Sequence, residues 1–124
     1  AAIFQGRKLI AAAHNLTETL RDPTAHAEIL AIQQACQKLS CQRLTGCDLY
    51  VTLEPCPMCA GAILNARLRA VYIGALDPNA GACGSKIDLL TKQFFNHRAD
   101  VFYGIDEQRC TALLHQFFAQ LREK

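Results

Sequence analysis

Continuous apolar runs alternate along this chain with segments whose apolar residues recur at spacings of three and four. That alternation constrains the chain to an α/β fold, with strands buried between helices. The strand-like runs are residues 48–53, 70–75 and 100–103. Two further runs, residues 1–4 and 8–14, flank Gln5-Gly6-Arg7 and read as a hairpin with Gly6 in the turn. Residues 15–21 are polar and read as a loop. Asp22 and Pro23 then supply an N-cap and a first helical position. The helix they predict carries an apolar face of Ala25, Ile29, Ile32, Cys36 and Leu39, opposite Gln33, Gln34, Gln37 and Lys38. Glu54-Pro55 stops the strand over 48–53. Pro57 starts a second helix that runs to about Arg67 through Ala60, Ile63 and Leu64. Residues 77–85 form a loop, 85–90 a short helix and 100–103 a fifth strand. Asp106 caps a last helix striped with Cys110, Leu113, Leu114, Phe117, Phe118 and Leu121.

The 124 residues fit a single domain, 1–124, and no repeat or linker divides them. With 51% hydrophobic and 19% charged residues, the chain is not a disordered segment. A net charge of +2 neither requires nor excludes a nucleic-acid partner. No apolar run reaches the roughly 18 residues of a membrane helix. Arg7 and Lys8 precede any long apolar stretch, unlike a secretory signal, and no initiator Met is present. Seven cysteines, at 36, 41, 47, 56, 59, 83 and 110, cannot pair completely. A reducing cytoplasm suits them better than a disulfide scaffold.

Cys56 and Cys59 have metal-ligand spacing. Cys56 takes the N-cap position before Pro57, Cys59 lies on the same helical side, and a helix N-terminus favours thiolates. A lone C-x-x-C is also compatible with a redox pair, although no thioredoxin-like setting surrounds this one. On the first helix, Glu28 projects onto the apolar face with Ala25, Ile32 and Ala35. A carboxylate there is costly unless paired or near a metal, and the plain alternative is a first-turn Glu that reaches solvent. His26 and Glu28 do not share a helical side, so they converge only on a ligand over the helix end. His26, Cys56 and Cys59 would leave a fourth position open, as catalytic zinc requires, whereas Cys47 or Cys83 could close it into a structural site.

His26-Ala27-Glu28 with Pro55-Cys56-Pro57-Met58-Cys59 resembles the signature of the zinc-dependent nucleobase deaminases. The likeness is wider than that signature. Asp22 through Glu28, Val51 through Cys56, Met58 through Ala62, Gly74-Ala75, Asp77, Gly81-Ala82, Gly84-Ser85 and Asn96-His97-Arg98 resemble the bacterial tRNA-specific adenosine deaminases of the cytidine/deoxycytidylate deaminase superfamily. The resemblance implies a cytidine-deaminase-like three-layer α/β/α fold with a five-stranded mixed sheet. It also implies a homodimer in the cytoplasm, with one Zn2+ per subunit. The implied reaction is hydrolytic conversion of a wobble adenosine in a tRNA anticodon stem-loop to inosine. His26, Cys56 and Cys59 match the zinc ligands, Glu28 the proton shuttle, Asn15 the residue that meets the nucleoside, and Asp77 and Asn96 residues that contact the RNA. Against the family's pattern, the N-terminal helix and the start of the first strand are missing here, and Ala1-Ala2 begin inside that strand. Arg21 and Pro57 stand where the family often has His and Val, and the tail after Phe118 is less basic.

Each inferred contact has a plainer alternative. Asn15 and Asp77 also suit ordinary turns. Phe117 and Phe118 could stack on bases, but their helical spacing suits a core. Arg67, Arg69, Lys86, Lys92 and Arg98 form a local basic excess that suits phosphates or simply a solvated surface. Two rival functions use the same residues: a deaminase of free guanine or nucleosides, and a non-catalytic zinc module.

Overall fold

In the computed structural model, which describes residues 1–92 and 95–122, the hairpin forms as expected. β1 (Ala2–Gln5) and β2 (Lys8–Ala12) pair antiparallel, and Gly6 takes φ +61° in the turn between them. β1 also pairs antiparallel with β3 (Cys47–Leu53). β3 then pairs parallel with β4 (Ala70–Ala75), and β4 with β5 (Asp100–Phe102). The sheet is mixed and five-stranded, in the order β2-β1-β3-β4-β5. α1 (Ala27–Leu39) and α2 (Pro57–Asn65) make the two connections that lead through β3 into β4, and α3 (Glu107–Arg122) follows β5.

Strand periodicity explains the layers. Leu49, Val51, Val71 and Ile73 point to one side of the sheet and share a buried core with Ala31 and Ala35 of α1 and Ala60 and Ile63 of α2. Glu28 lies on the same helical stripe as Ala31 and Ala35, which carries it inward. The other side holds Thr52 and Gly74, and α3 packs there against β3 and β4. Gly74 is required at this contact. A Cβ on it would fall against Cys110 Sγ, 2.7 Å from Cys110 Cβ and 3.0 Å from the Thr52 carbonyl. Beyond the end covered by α3, an aromatic ribbon crosses four strands. Phe4 meets Tyr50 edge-on at 5.4 Å, Tyr50 stacks on Tyr72 at 4.5 Å, and Tyr72 stacks on Phe102 at 4.9 Å. Tyr50 and Phe102 remain 38% and 45% exposed, so helices cover this face of the sheet only in part. At the ribbon's edge Asp48, which is buried, accepts two hydrogen bonds from Arg69, at 3.0 and 2.6 Å.

Three local expectations are corrected. α1 begins at Ala27, not after Asp22. Asp22 Oδ1 instead accepts from the Thr24 amide at 2.8 Å and its hydroxyl at 2.6 Å, closing a turn of its own. Residues 85–90 are not helical. The Gly84 N–H donates to Ile87 O at 2.9 Å, the Ser85 N–H donates to Glu54, and Cys83 bridges Asp88. Asp106 does precede α3, and its carbonyl accepts from Cys110 N–H. At φ +53°, however, it is not in the extended conformation of an N-cap, and its carboxylate takes Arg109 at 3.3 Å. Leu113 of the expected stripe is 57% exposed, and the side chains of Phe117, Phe118 and Leu121 lie outside the described residues. No described helix is long and apolar enough to cross a membrane.

Because the Gly74 contact is between backbone-anchored atoms, Gly74→Ala must push α3 off the sheet. A loss of about 1–3 kcal/mol is expected, read as a lower midpoint in urea unfolding.

Candidate active site

β3 ends at Leu53, and Glu54-Pro55 turns the chain so that Cys56 becomes the N-cap of α2 (φ −75°, ψ 174°), with Pro57 at the first helical position. Proline suits this position because the amide it lacks would have no intrahelical partner there. Cys59 follows one turn later. Next to this helix start, His26 is the N-cap of α1 (φ −69°, ψ 153°). Neither cap side chain bonds its own helix; each points at the other. His26 Nδ1 lies 3.6 Å from Cys56 Sγ and 3.5 Å from Cys59 Sγ, and the three donor atoms all fall within 4.8 Å of one another.

These distances fit a metal. Zinc–sulfur bonds of about 2.3 Å and zinc–nitrogen bonds of about 2.05 Å at a tetrahedral angle separate N from S by about 3.6 Å. The electrostatics also fit. Burial, the neighbouring Glu28 carboxylate and Cys56 together push the Cys59 thiol far above its ordinary pKa. Acids crowded in this way ionise together only around a cation. Among the described residues no fourth His, Cys, Asp or Glu joins the cluster. Cys83 is buried and turns its thiol toward the Pro55 carbonyl at 4.0 Å, while Cys47 lies at the opposite end of β3. The donor set is therefore that of a site with one position left open.

His26 and Cys56 line a cavity of about 630 Å³ together with His14, Asn15, Glu28 and Asp77, among others. Glu28 enters from the first turn of α1, beside Cys59. Asn15 is at the rim. Its Oδ1 accepts from Thr17 N–H at 2.9 Å, which leaves the amide nitrogen as its donor toward a ligand. Asp77 Oδ1 accepts from Asn79 N–H at 3.0 Å and Ala80 N–H at 3.2 Å, so Asp77 both makes the expected turn and lines the cavity. Asn96 is not brought to this cavity. It lines a separate one of about 290 Å³ with Leu64, Asn65 and Arg67. In the basic excess, Arg69 is engaged by Asp48.

Sequence reasoning passed over two residues. His14, at the end of the hairpin, carries no distinguishing local signal. Glu54 was read only as a strand stop, yet it is 3% exposed and lines the cavity. Its Oε1 accepts from Asp77 N–H at 3.0 Å and from the Ser85 hydroxyl. Its Oε2 accepts from Cys83 N–H at 3.0 Å and Ser85 N–H at 3.1 Å. Burial pushes this carboxyl up, but the bonds from Ser85, Asp77 and Cys83 outweigh burial and hold it below the usual carboxylate value. A carboxylate closing an apolar strand was the available signal.

Known proteins resemble this chain over most of its length. The model of the MafB19-like deaminases matches residues 1–122. The chain belongs to the MafB19-like deaminase family. It is 50% identical over 117 residues to the tRNA-specific adenosine deaminase of Bacillus subtilis, covering 94% of this chain and 73% of that one. It is 47% identical to the enzyme of that name from Agrobacterium fabrum, covering 97% and 78%. Among solved structures it is similar to one from studies of A-to-I editing by tRNA:A34 deaminases at the wobble position of transfer RNA. The TM-score there is 0.86 at 44% identity, over 90% of this chain and 80% of that one. The guanine deaminase of Nitrosomonas europaea is also similar, with a TM-score of 0.77 at 29% identity over 95% and 71%. The mixed sheet and its helices are thus the shared framework of this deaminase family, as the sequence resemblance implied.

For a three-donor site of this kind, one zinc per chain is expected, and Cys59→Ala should abolish its retention through gel filtration, read by elemental analysis. Because the Cys59 proton must leave as metal enters, zinc affinity should rise with pH, on the order of tenfold per unit from this thiol alone.

Proposed function

We propose that this chain is a zinc-dependent hydrolase that deaminates adenosine to inosine at the wobble position of tRNA anticodons and releases ammonia. The observation that carries the proposal is the His26, Cys56 and Cys59 cluster, open on one side to a cavity that also holds Glu28. The likeness to tRNA-specific adenosine deaminases supports the substrate.

Zinc bound by the three side chains supplies a Lewis acid that lowers the pKa of water toward about 7. Glu28 does the proton work. Its carboxylate would accept a proton from the water that attacks C6 of the purine and pass it to ring N1, then take the proton of the new C6 hydroxyl and deliver it to the amine, which leaves as ammonia while the C6 oxygen becomes a carbonyl. A carboxylate suits this task because it accepts and returns protons, while its place on the buried stripe of α1 keeps it beside the reacting carbon. The amide of Asn15 addresses the nucleoside edge at the cavity rim. Asp77, on the loop after β4, contacts the nucleotide from the opposite wall. Asn96, remote from the cavity, would act on flanking RNA beside Arg67. The family resemblance further assigns a homodimer working in the cytoplasm.

Deamination of a free base is the second reading, favoured by the likeness to guanine deaminase at 29% identity. It is the weaker one, because the adenosine-editing relatives reach 50% and 44%.

With zinc-loaded protein and an anticodon stem-loop bearing a wobble adenosine, inosine is the expected product. Free guanine, cytidine and adenosine should be turned over far more slowly. Glu28→Ala should keep its zinc and lose roughly 10²–10⁴-fold in turnover, measured by nucleoside chromatography. Turnover of guanine in place of the stem-loop would instead establish the second reading. Replacing Lys86 and Arg98, both exposed, with Ala should weaken stem-loop binding and flatten its salt dependence, as the loss of one or two phosphate contacts does.

A further inference from the structure

Glu54 is a buried carboxylate that the deamination chemistry leaves without a task. Its two oxygens accept four hydrogen bonds, and the donors come from Asp77, Cys83 and Ser85. Those residues span one loop, which lines the cavity through Asp77 and Ala80. Backbone bonds join the same two segments. Glu54 N–H donates to Ala75 O at 2.9 Å, and Ala82 N–H donates to Pro55 O at 2.9 Å. Gly81 fits beneath the carboxylate. A Cβ there would strike the Glu54 carboxyl carbon and Oε2 and lie 2.5 Å from the Asp77 carbonyl. The loop is thus seated directly on the carboxylate, with no room for a side chain between them.

We propose that Glu54 is a positioning residue for substrate recognition: by holding the Asp77 amide on Oε1, it fixes the Asp77 carboxylate at the cavity wall where it meets the nucleotide. This rests on the reading of Asp77 as a substrate contact. Among the described residues only Asp77 Oδ1 is engaged, by its own turn, so the second oxygen is the one offered to a ligand. A backbone anchor at Asp77 itself is the economical way to aim that oxygen, since the Asx turn already fixes the side chain to the loop.

The chemistry of the clamp makes it separable from the fold. Glutamine has one acceptor oxygen where glutamate has two. In Glu54→Gln, that oxygen is best placed where Oε2 now accepts two amides, from Cys83 and Ser85. The –NH₂ then faces the Ser85 hydroxyl, which can accept, and the Asp77 N–H, which cannot. The substitution therefore releases Asp77 while the rest of the loop stays tied.

The test is a double-mutant cycle with Asp77→Asn, which keeps the turn-closing oxygen and removes the charge. Glu54→Gln should retain zinc at the parent level and raise KM for the stem-loop about tenfold, with kcat changed less than twofold. In the Asp77→Asn background the same substitution should change KM by less than twofold. Equal effects in both backgrounds, no effect in either, or loss of zinc would overturn the proposal, the last because Glu54 would then be acting through Cys56. Gly81→Ala displaces the loop with Glu54 intact and should reproduce the KM effect; unchanged KM counts against the clamp. Amide hydrogen exchange reads the same clamp without turnover. The Asp77 amide should be protected in the parent and exposed in Glu54→Gln, with Cys83 unchanged, and exposure of both amides or of neither would overturn it. If the parent makes no inosine, the wobble-adenosine reading fails on its own, and exchange still decides the clamp.

Discussion

Three donor atoms, two on helix N-caps and one in the first turn of α2, gather within 4.8 Å because two helix N-termini are brought together, and the rest of this molecule serves that meeting. His26 and Cys56 are both N-caps in extended conformation, and both leave their own helix uncapped by a side chain. An uncapped N-cap costs about 1 kcal/mol in an ordinary helix. Here two helices forgo that stabilisation in order to direct a nitrogen and a sulfur at a common point 3.6 Å apart. Such a concession fits a site whose missing term is a cation. Positive ends of two helix dipoles also favour thiolates, which lowers the cost of assembling the donors.

The sheet explains why the two termini meet there. β3 and β4 are parallel, so the connection between them must cross over one face, and α2 is that crossover. The carboxyl end of β3 therefore delivers Cys56 to the same edge of the core at which α1 begins. Small residues make the approach close. Ala31 and Ala35 on α1 and Ala60 on α2 are all fully buried, and larger side chains at those positions would separate the helix starts. Glu28, on the stripe of Ala31 and Ala35, is thereby carried to the metal side instead of solvent. Its inward position follows from helix packing, and the Cys59 thiol is the group it meets there.

Much of this was legible in the residues. Strands appear where apolar runs predicted them, because runs buried on a parallel sheet have no competing use. The α2 start was legible as well, since Cys56-Pro57 leaves the backbone few alternatives. The failures share a cause: side chains that satisfy backbone groups over short distances. Asp22 has the chemistry of an N-cap, but it closed a turn with Thr24 and postponed α1 by four residues, which is why His26 became the cap. Residues 85–90 lost their helix to Glu54, a partner thirty-one residues from Ser85 in sequence and invisible to any local pattern. Asn96 shares its family's motif, but the fold places it at a different cavity from Glu28, a separation that no spacing rule contains.

Glu54 marks the boundary between what holds the fold and what shapes the reaction. Four hydrogen bonds to one carboxylate in a buried place constitute a strong, directional tie, and carboxylates accepting several backbone amides stay ionised well below neutrality. The Glu54 charge also bears on the loop it seats, where burial first and then this carboxylate push up the Cys83 thiol. The same carboxylate therefore both seats the loop and sets the charge around its buried thiol. The two effects differ in range. The hydrogen bond acts on the Asp77 amide at 3.0 Å, whereas the charge acts through space on Cys83. Substituting Gln removes the charge and one acceptor together, so unchanged zinc retention with a displaced Asp77 is the signature of the clamp. A loop held by geometry responds at one amide, while a site held by charge responds at all of its ligands.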